Sequence, residues 1–95
     1  MQMNAMPLVD ESLVGFNIEM LFEYPNVVEG GTYLDWAYGT VKEIMNKNTN
    51  RVLIEWNDEC LGRLDRKETI QKLLMTKWNP KQNTNEGAWR EYLRG

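Results

Sequence analysis

Side chains able to carry out catalysis are scarce in this sequence of 95 residues. It has no histidine and a single cysteine, Cys60. The usual general base for a serine or cysteine nucleophile is therefore missing, and so is every common zinc-ligand pattern. The acidic residues mostly alternate with apolar ones, as on the solvated face of a strand, and no glycine-rich phosphate motif is present. We expect a protein that is not an enzyme and that carries no metal or cofactor.

The residues that hint at a function are large aromatic rings near the ends of predicted strands. They are Tyr33, Trp36, Tyr38 and Trp56. The net charge is −3, from 11 basic and 14 acidic side chains. A duplex-DNA-binding protein normally carries a basic stripe. An acidic surface suits a basic partner such as an Arg/Lys-rich peptide, although it also serves solubility alone.

Alternation of apolar and polar residues predicts the strands that position these rings. From Phe16 to Tyr24 every second residue is apolar or aromatic, which favours a strand. A loop ending at Gly30 and Gly31 follows. The second predicted strand runs over 33–45 and is interrupted at Gly39, where we expect a bulge or a sharp bend. A polar turn at 46–50 leads into the third strand, over 51–56.

The pattern weakens after Asp58. We predict a fourth strand near residues 68–71 and a turn of helix at 72–76. The segment 86–95 fits a short helix that docks Trp89 and Leu93, with a short edge strand as the alternative. The predicted organisation is a flexible lead over 1–12, one compact domain over 13–76, and an extension over 77–95 that packs on it.

The order of these features resembles the SH3-like barrels of the Tudor, chromo-barrel and agenet group, over about residues 15–75. The resemblance rests on the alternating first strand, the glycine loop, WAYGTV at 36–41, the polar turn and VLIEW at 52–56. The chain departs from many Tudor domains because its turn at 56–59, WNDE, lacks a glycine. The resemblance implies a small, mainly-β antiparallel barrel with a short C-terminal helical or extended appendage. Similar barrels occur in chromatin-associated and transposon-derived proteins and at the ends of retroelement integrases, which implies an intracellular, nuclear location.

In that group, aromatic residues at one mouth of the barrel form a cage for methylated lysine or arginine. Ring faces attract a methylated ammonium through the cation–π effect, and a nearby carboxylate adds to the attraction. The matching residues here are Tyr24, Trp36, Tyr38, Trp56 and Asp58. Each also has a purely structural interpretation. Tyr24 and Trp56 continue apolar strand faces and fit the core, Trp36 and Tyr38 share one face, and Asp58 fits a turn.

We therefore expect a non-catalytic reader that binds a basic or methylated peptide, such as a histone tail, in an aromatic-lined groove. One alternative is a nucleic-acid-binding barrel that uses Arg63, Lys67, Lys72 and Lys77. Another is a protein-interaction or dimerisation module that offers an exposed apolar patch or a strand edge. No window is long and apolar enough to predict a membrane span, and the single cysteine is consistent with a reducing compartment. The sequence does not predict an oligomeric state.

Overall fold

The computed structural model describes residues 5–60, 66–80 and 85–93, and these form one five-stranded antiparallel sheet. The strand order is β4-β3-β2-β1-β5. Short 3-10 turns occur at Glu11–Leu13, Asp58–Cys60 and Met75–Lys77, and no α-helix is present in the described ranges. The predicted mainly-β antiparallel class is confirmed. The strands are β1 Asn17–Pro25, β2 Thr32–Asn46, β3 Arg51–Trp56, β4 Glu68–Lys72 and β5 Trp89–Glu91.

The loop between β1 and β2 depends on its paired glycines. Gly30 and Gly31 have φ values of 80° and 73°, in the left-handed region that favours glycine. The Asn26 side chain accepts a hydrogen bond from the amide of Glu29 at 3.1 Å. The amide of Gly30 also donates to the Asn26 carbonyl at 2.8 Å. The turn after β2 is built in a similar way around Asn46, as its polar composition predicted.

The length of β2 lets this strand serve two neighbours. Its first part, Thr32–Thr40, pairs with β1, and its second part, Gly39–Asn46, pairs with β3. Register shifts occur between Val41 and Glu43 and again between Ile44 and Asn46. Such bulges bend a strand and increase its twist, so the two halves of the sheet curve around a common interior.

The expected interruption at Gly39 was wrong, because Gly39 pairs in register with both Ile18 and Trp56. Glycine is needed there for a different reason. A Cβ atom at this position would lie 2.4 Å from the backbone oxygen of Glu55 and 3.0 Å from Cα of Trp56. Only a residue without a side chain allows β2 and β3 to approach this closely.

The sheet is not closed as a barrel, which corrects that part of the predicted fold. β4 and β5 are its two edges, and each pairs with one strand only. The predicted strand near 68–71 is present as β4, whereas the turn of helix expected at 72–76 is limited to the 3-10 turn Met75–Lys77. For the C-terminal segment the structure has the edge strand rather than the helix. Residues 1–4 of the predicted lead lie outside the described ranges.

The core lies on the inner face of the curved sheet. Trp89 is fully buried there although its strand is only three residues long, and its indole N–H donates to the Leu74 carbonyl at 2.9 Å. Leu93, which was expected to dock, remains 45% exposed. The buried cluster consists of Leu13, Ile18, Met20, Ala37, Val41, Val52, Ile54, Trp56, Leu73 and Trp89.

Candidate functional site

The central strands determine which side chains reach the outer face of the sheet. In β2 the residues Ala37, Gly39 and Val41 are buried on the inner side. Because successive strand residues point to opposite faces, Trp36, Tyr38 and Thr40 lie on the outer side. Their partners across β1 are Leu21, Glu19 and Asn17, respectively.

The structure does not bring the five predicted cage residues to one rim. Trp56 is 1% exposed and Tyr24 is 7% exposed, and both lie on the inner face. Their rings contact Phe22, with centroid distances of 5.4 Å and 6.3 Å, respectively. Trp36 and Tyr38 lie on the opposite face and are half-buried. A cage built from all four rings is therefore not assembled, because strand parity sends two of them inward and two outward.

Asp58, the fifth predicted residue, is exposed in the 3-10 turn after β3. It makes an ion pair with Lys67 at 3.7 Å between two exposed side chains, which contributes about 0–1 kcal/mol. The neighbouring Glu59 is the carboxylate that contacts an aromatic residue, because it accepts a hydrogen bond from the Tyr38 hydroxyl. The side chain of Asn57 accepts from the Glu59 amide at 2.9 Å and so helps to orient this turn.

Trp36 has a cation on its ring, but the cation belongs to the chain itself. The Cζ atom of Arg90 lies 4.1 Å from the Trp36 ring centroid. The Nε atom of Arg90 donates to the Glu19 carboxylate at 2.5 Å, and the two side chains are 23% and 13% exposed. Glu19 and Arg90 are cross-strand partners in β1 and β5. This face of Trp36 is therefore a guanidinium site that is already filled.

Tyr38 stacks on Tyr92, a residue outside the predicted cage. The ring centroids are 4.3 Å apart and the planes are inclined by 11°. The amide of Tyr92 donates to the Asn17 carbonyl at 2.9 Å, which extends the pairing of β1 and β5 by one bond. No periodicity in the sequence indicates that these two rings meet, since 54 positions separate residue 38 from residue 92.

A small cavity of about 110 Å³ opens beside this pair of stacked rings. Its size suits one side-chain head group and is well below the roughly 300–1,000 Å³ of drug-sized ligand sites. Its lining combines the two tyrosines with oxygen-bearing polar side chains. The lining residues are Asn17, Tyr38, Gly39, Thr40, Glu55, Trp56, Asn57 and Tyr92.

The polar side chains that line this cavity are one acidic residue, Glu55, and several neutral residues that can both donate and accept hydrogen bonds. Glu55 is the one residue of the lining with a carboxylate. The side-chain oxygen of Asn57 already accepts from the Glu59 amide. The Thr40 hydroxyl donates to the Asn17 side chain at 2.8 Å, so its own oxygen can accept from a ligand. A site of this composition suits a cationic N–H donor. In the described ranges, no group of three or more potential metal ligands is placed to hold a metal ion.

The basic residues of the nucleic-acid alternative are divided between separate parts of the surface. Lys67 pairs with Asp58 beyond the Glu68 end of β4. Lys72 and Lys77 line a depression at the other end of β4, together with the acidic Glu86. Arg63 lies outside the described residues.

Comparisons with protein-family profiles, with curated proteins and with solved structures yield no match for this chain. Within the part of the chain described here, no helix has the length and apolar character that a membrane crossing requires.

Proposed function

We propose that this chain is a non-catalytic binding module that holds one basic side chain of a peptide in the cavity beside Tyr38 and Tyr92. The observation that carries the proposal is the composition of that cavity, in which the acidic Glu55 and neutral polar side chains lie next to stacked rings. An Arg/Lys-rich tail, such as that of a histone, is the class of partner that fits this chemistry. The proposal retains Tyr38 from the predicted cage and replaces its other members with Tyr92, Glu55 and the polar residues of the cavity.

The fold supports this assignment at the level of architecture. The strand order, the long bent β2 and the 3-10 turn between β4 and β5 are compatible with a chain of the SH3-like kind that does not close into a full barrel. Folds of this size host many unrelated functions, so the proposal depends on the cavity and not on the architecture.

Charge around the cavity favours a cationic ligand. Glu55 lines it, Glu59 is bonded to Tyr38, and Glu68 is the cross-strand neighbour of Glu55. The Trp36–Glu19 pair on the same face already binds the guanidinium of Arg90. The outer face thus contains one filled guanidinium site and one cavity with similar chemistry nearby.

The same geometry favours a head group that still carries N–H donors. The Tyr38 and Tyr92 rings stack on each other, so one face of each is covered by the other ring. Full enclosure of a trimethylammonium needs several free ring faces. A head group with N–H donors instead gains hydrogen bonds to acceptor oxygens, which trimethyl-lysine cannot form. Unmodified or singly methylated lysine and arginine should therefore bind more tightly than trimethyl-lysine.

This order of affinity can be tested by titrating ¹⁵N-labelled protein with short peptides. The peptides carry arginine, lysine, monomethyl-lysine or trimethyl-lysine in the same flanking sequence, and an acidic peptide serves as the negative control. We expect amide shifts around Tyr38, Thr40, Glu55 and Tyr92. Equal weak responses to all peptides, or shifts confined to other surfaces, would contradict the proposal.

A matched pair of variants identifies the charged group responsible. Glu55→Gln removes the carboxylate from the cavity, and we expect a loss of about 1–2 kcal/mol, or roughly five- to thirtyfold in Kd. Glu43→Gln makes the same change on β2 outside the cavity, opposite Leu53, and should leave the affinity within about twofold of wild type. Equal effects of the two substitutions would indicate that only net charge matters.

A further inference from the structure

The outer edge of β4 presents backbone groups that no described strand pairs with. In the ladder with β3, Lys67 O accepts from the Trp56 amide and the Leu73 amide donates to Asn50 O. Antiparallel strands alternate between inward and outward backbone groups, so the N–H and C=O groups of Glu68, Ile70 and Lys72 point away from β3. Ile70 is also 53% exposed, which is unusual for a large apolar residue in the middle of a strand.

The charges along this edge are arranged in two like-signed couples. Arg51 lies directly opposite Lys72, and Glu55 lies directly opposite Glu68. Like charges that face each other across two strands are destabilising. None of the four makes an ion pair with another residue in the described ranges. The ladder therefore has a positive end and a negative end. Arg66 lines the same depression as Glu68, and Glu86 lines the same depression as Lys72, but neither forms a described ion pair with its neighbour.

We propose that a second copy of this chain adds to the sheet through β4, antiparallel and around a twofold axis at Ile70. In this register the two Ile70 residues exchange their backbone hydrogen bonds. Glu68 of each copy does the same with Lys72 of the other copy. Lys72 of each copy is then opposite Glu68 of the other copy. The basic pair Arg51 and Lys72 of one copy therefore lies next to the acidic pair Glu55 and Glu68 of the other. The twofold symmetry makes the contact self-complementary.

Other registers do not give this combination. A shift by two residues keeps the outward amides paired but puts Ile70 opposite Glu68 or opposite Lys72. A shift by one residue opposes outward backbone groups to inward ones and loses the hydrogen bonds. A parallel arrangement places Glu68 beside Glu68 of the other copy. Only the antiparallel register centred on Ile70 joins the apolar residues to each other and both charges to their opposites.

The expected dimer is weak. A ladder of this length buries less surface than the roughly 1,200–2,000 Å² of standard stable interfaces, so we expect a Kd on the order of 0.1 mM. The proposal does not depend on peptide binding. Its test uses protein alone, so its failure leaves the cavity beside Tyr38 and Tyr92 untouched.

Charge reversal tests the register, because the monomer tolerates each change. Glu68→Lys puts the new lysine opposite Glu55, and Lys72→Glu puts the new glutamate opposite Arg51. Both changes replace a like-signed couple within the monomer by an opposite one. Each single reversal, however, makes like charges meet across the twofold axis and should weaken dimerisation at least tenfold. The double variant E68K/K72E restores both contacts and should return to within about threefold of the wild-type Kd.

Sedimentation equilibrium between about 10 μM and 1 mM measures these constants. Amide exchange on the wild type is the second measurement. We expect protection of the Glu68, Ile70 and Lys72 amides to rise with protein concentration, while the Thr69 and Gln71 amides, which face β3, stay equally protected throughout. A monomer up to about 1 mM, or a double variant as weak as the singles, overturns the proposal. Concentration-independent exchange at Ile70 overturns it as well.

Discussion

Replacing Gly39 by alanine tests the close approach of β2 and β3 beneath the candidate cavity. The added Cβ would be 2.4 Å from the Glu55 carbonyl oxygen and 3.0 Å from the Trp56 Cα. Both are backbone atoms of a neighbouring strand, so no side-chain rotation can relieve the contact. The strands must separate, and the hydrogen bonds and packing of this region must adjust.

The expected cost follows from two opposing effects. Overpacking in a tight interior costs about 1–3 kcal/mol, and contact with rigid backbone puts Gly39→Ala at the upper end of that range. Alanine also lowers the conformational entropy of the unfolded chain, which stabilises the folded protein by about 0.4–1 kcal/mol. We expect a net loss of about 2 kcal/mol, equivalent to a decrease in Tm of roughly 8–16 °C for a domain of this size.

Urea unfolding followed by tryptophan fluorescence measures this loss. Gly15→Ala is the matched control, because nothing lies within 4 Å of its added Cβ but its φ is +91°. It should cost about 1 kcal/mol from backbone conformation alone. If Gly39→Ala were as stable as wild type, or no worse than this control, the inferred approach of the two strands would be refuted. Because Gly39 also lines the cavity, the variant should weaken peptide binding in addition.

Three further outcomes are expected. Arg90→Lys loses the flat guanidinium that stacks on Trp36 and should cost about 1 kcal/mol in urea unfolding, whereas an unchanged midpoint would argue against that contact. Trp89→Phe leaves a carbonyl without its indole donor and should cost about 1–3 kcal/mol, and a smaller loss would mean that water replaces the bond. The hydroxyl and then the amide of Ser12 hold the pKa of Asp10 below its usual range, which favours the folded state above the ordinary carboxyl pKa and less so as the pH falls through the lowered value. A ¹³C titration should show that Ser12→Ala raises this pKa, and no change would exclude the hydrogen bond as its cause.

The strands were predictable because their side chains alternate in burial. Ile18 and Met20, and likewise Val52 and Ile54, are buried at every second position, which is the pattern that identified β1 and β3. β5 was uncertain because three residues are too few to show a period. Trp89 is buried there through pairing with β1, more than sixty positions away in the chain.

The candidate site was only partly predictable, because a ring at a strand end can point to either face. Trp56 has the parity of Val52 and Ile54, so its core position could be read from the sequence. Trp36 and Tyr38 lie on the opposite face to Ala37, and the small residues at 37 and 39 were a signal that their side is the buried inner face. The meeting of Tyr38 with Tyr92 depends on the pairing of β5 with β1, and no local pattern reports such a contact.

The position of β5 also has a consequence for how the chain reaches its native state. Ile18 lies opposite Glu91. The edge of β1 that does not pair with β2 therefore stays unpaired until almost the last described residues have been made. Contacts between such distant positions slow folding, because a large loop must close before they form. During synthesis on the ribosome the nascent hairpin of β1 and β2 therefore emerges with an uncovered apolar interior. Until Trp89 has been made, this hairpin lacks both its β5 edge pairing and a fully buried member of the core.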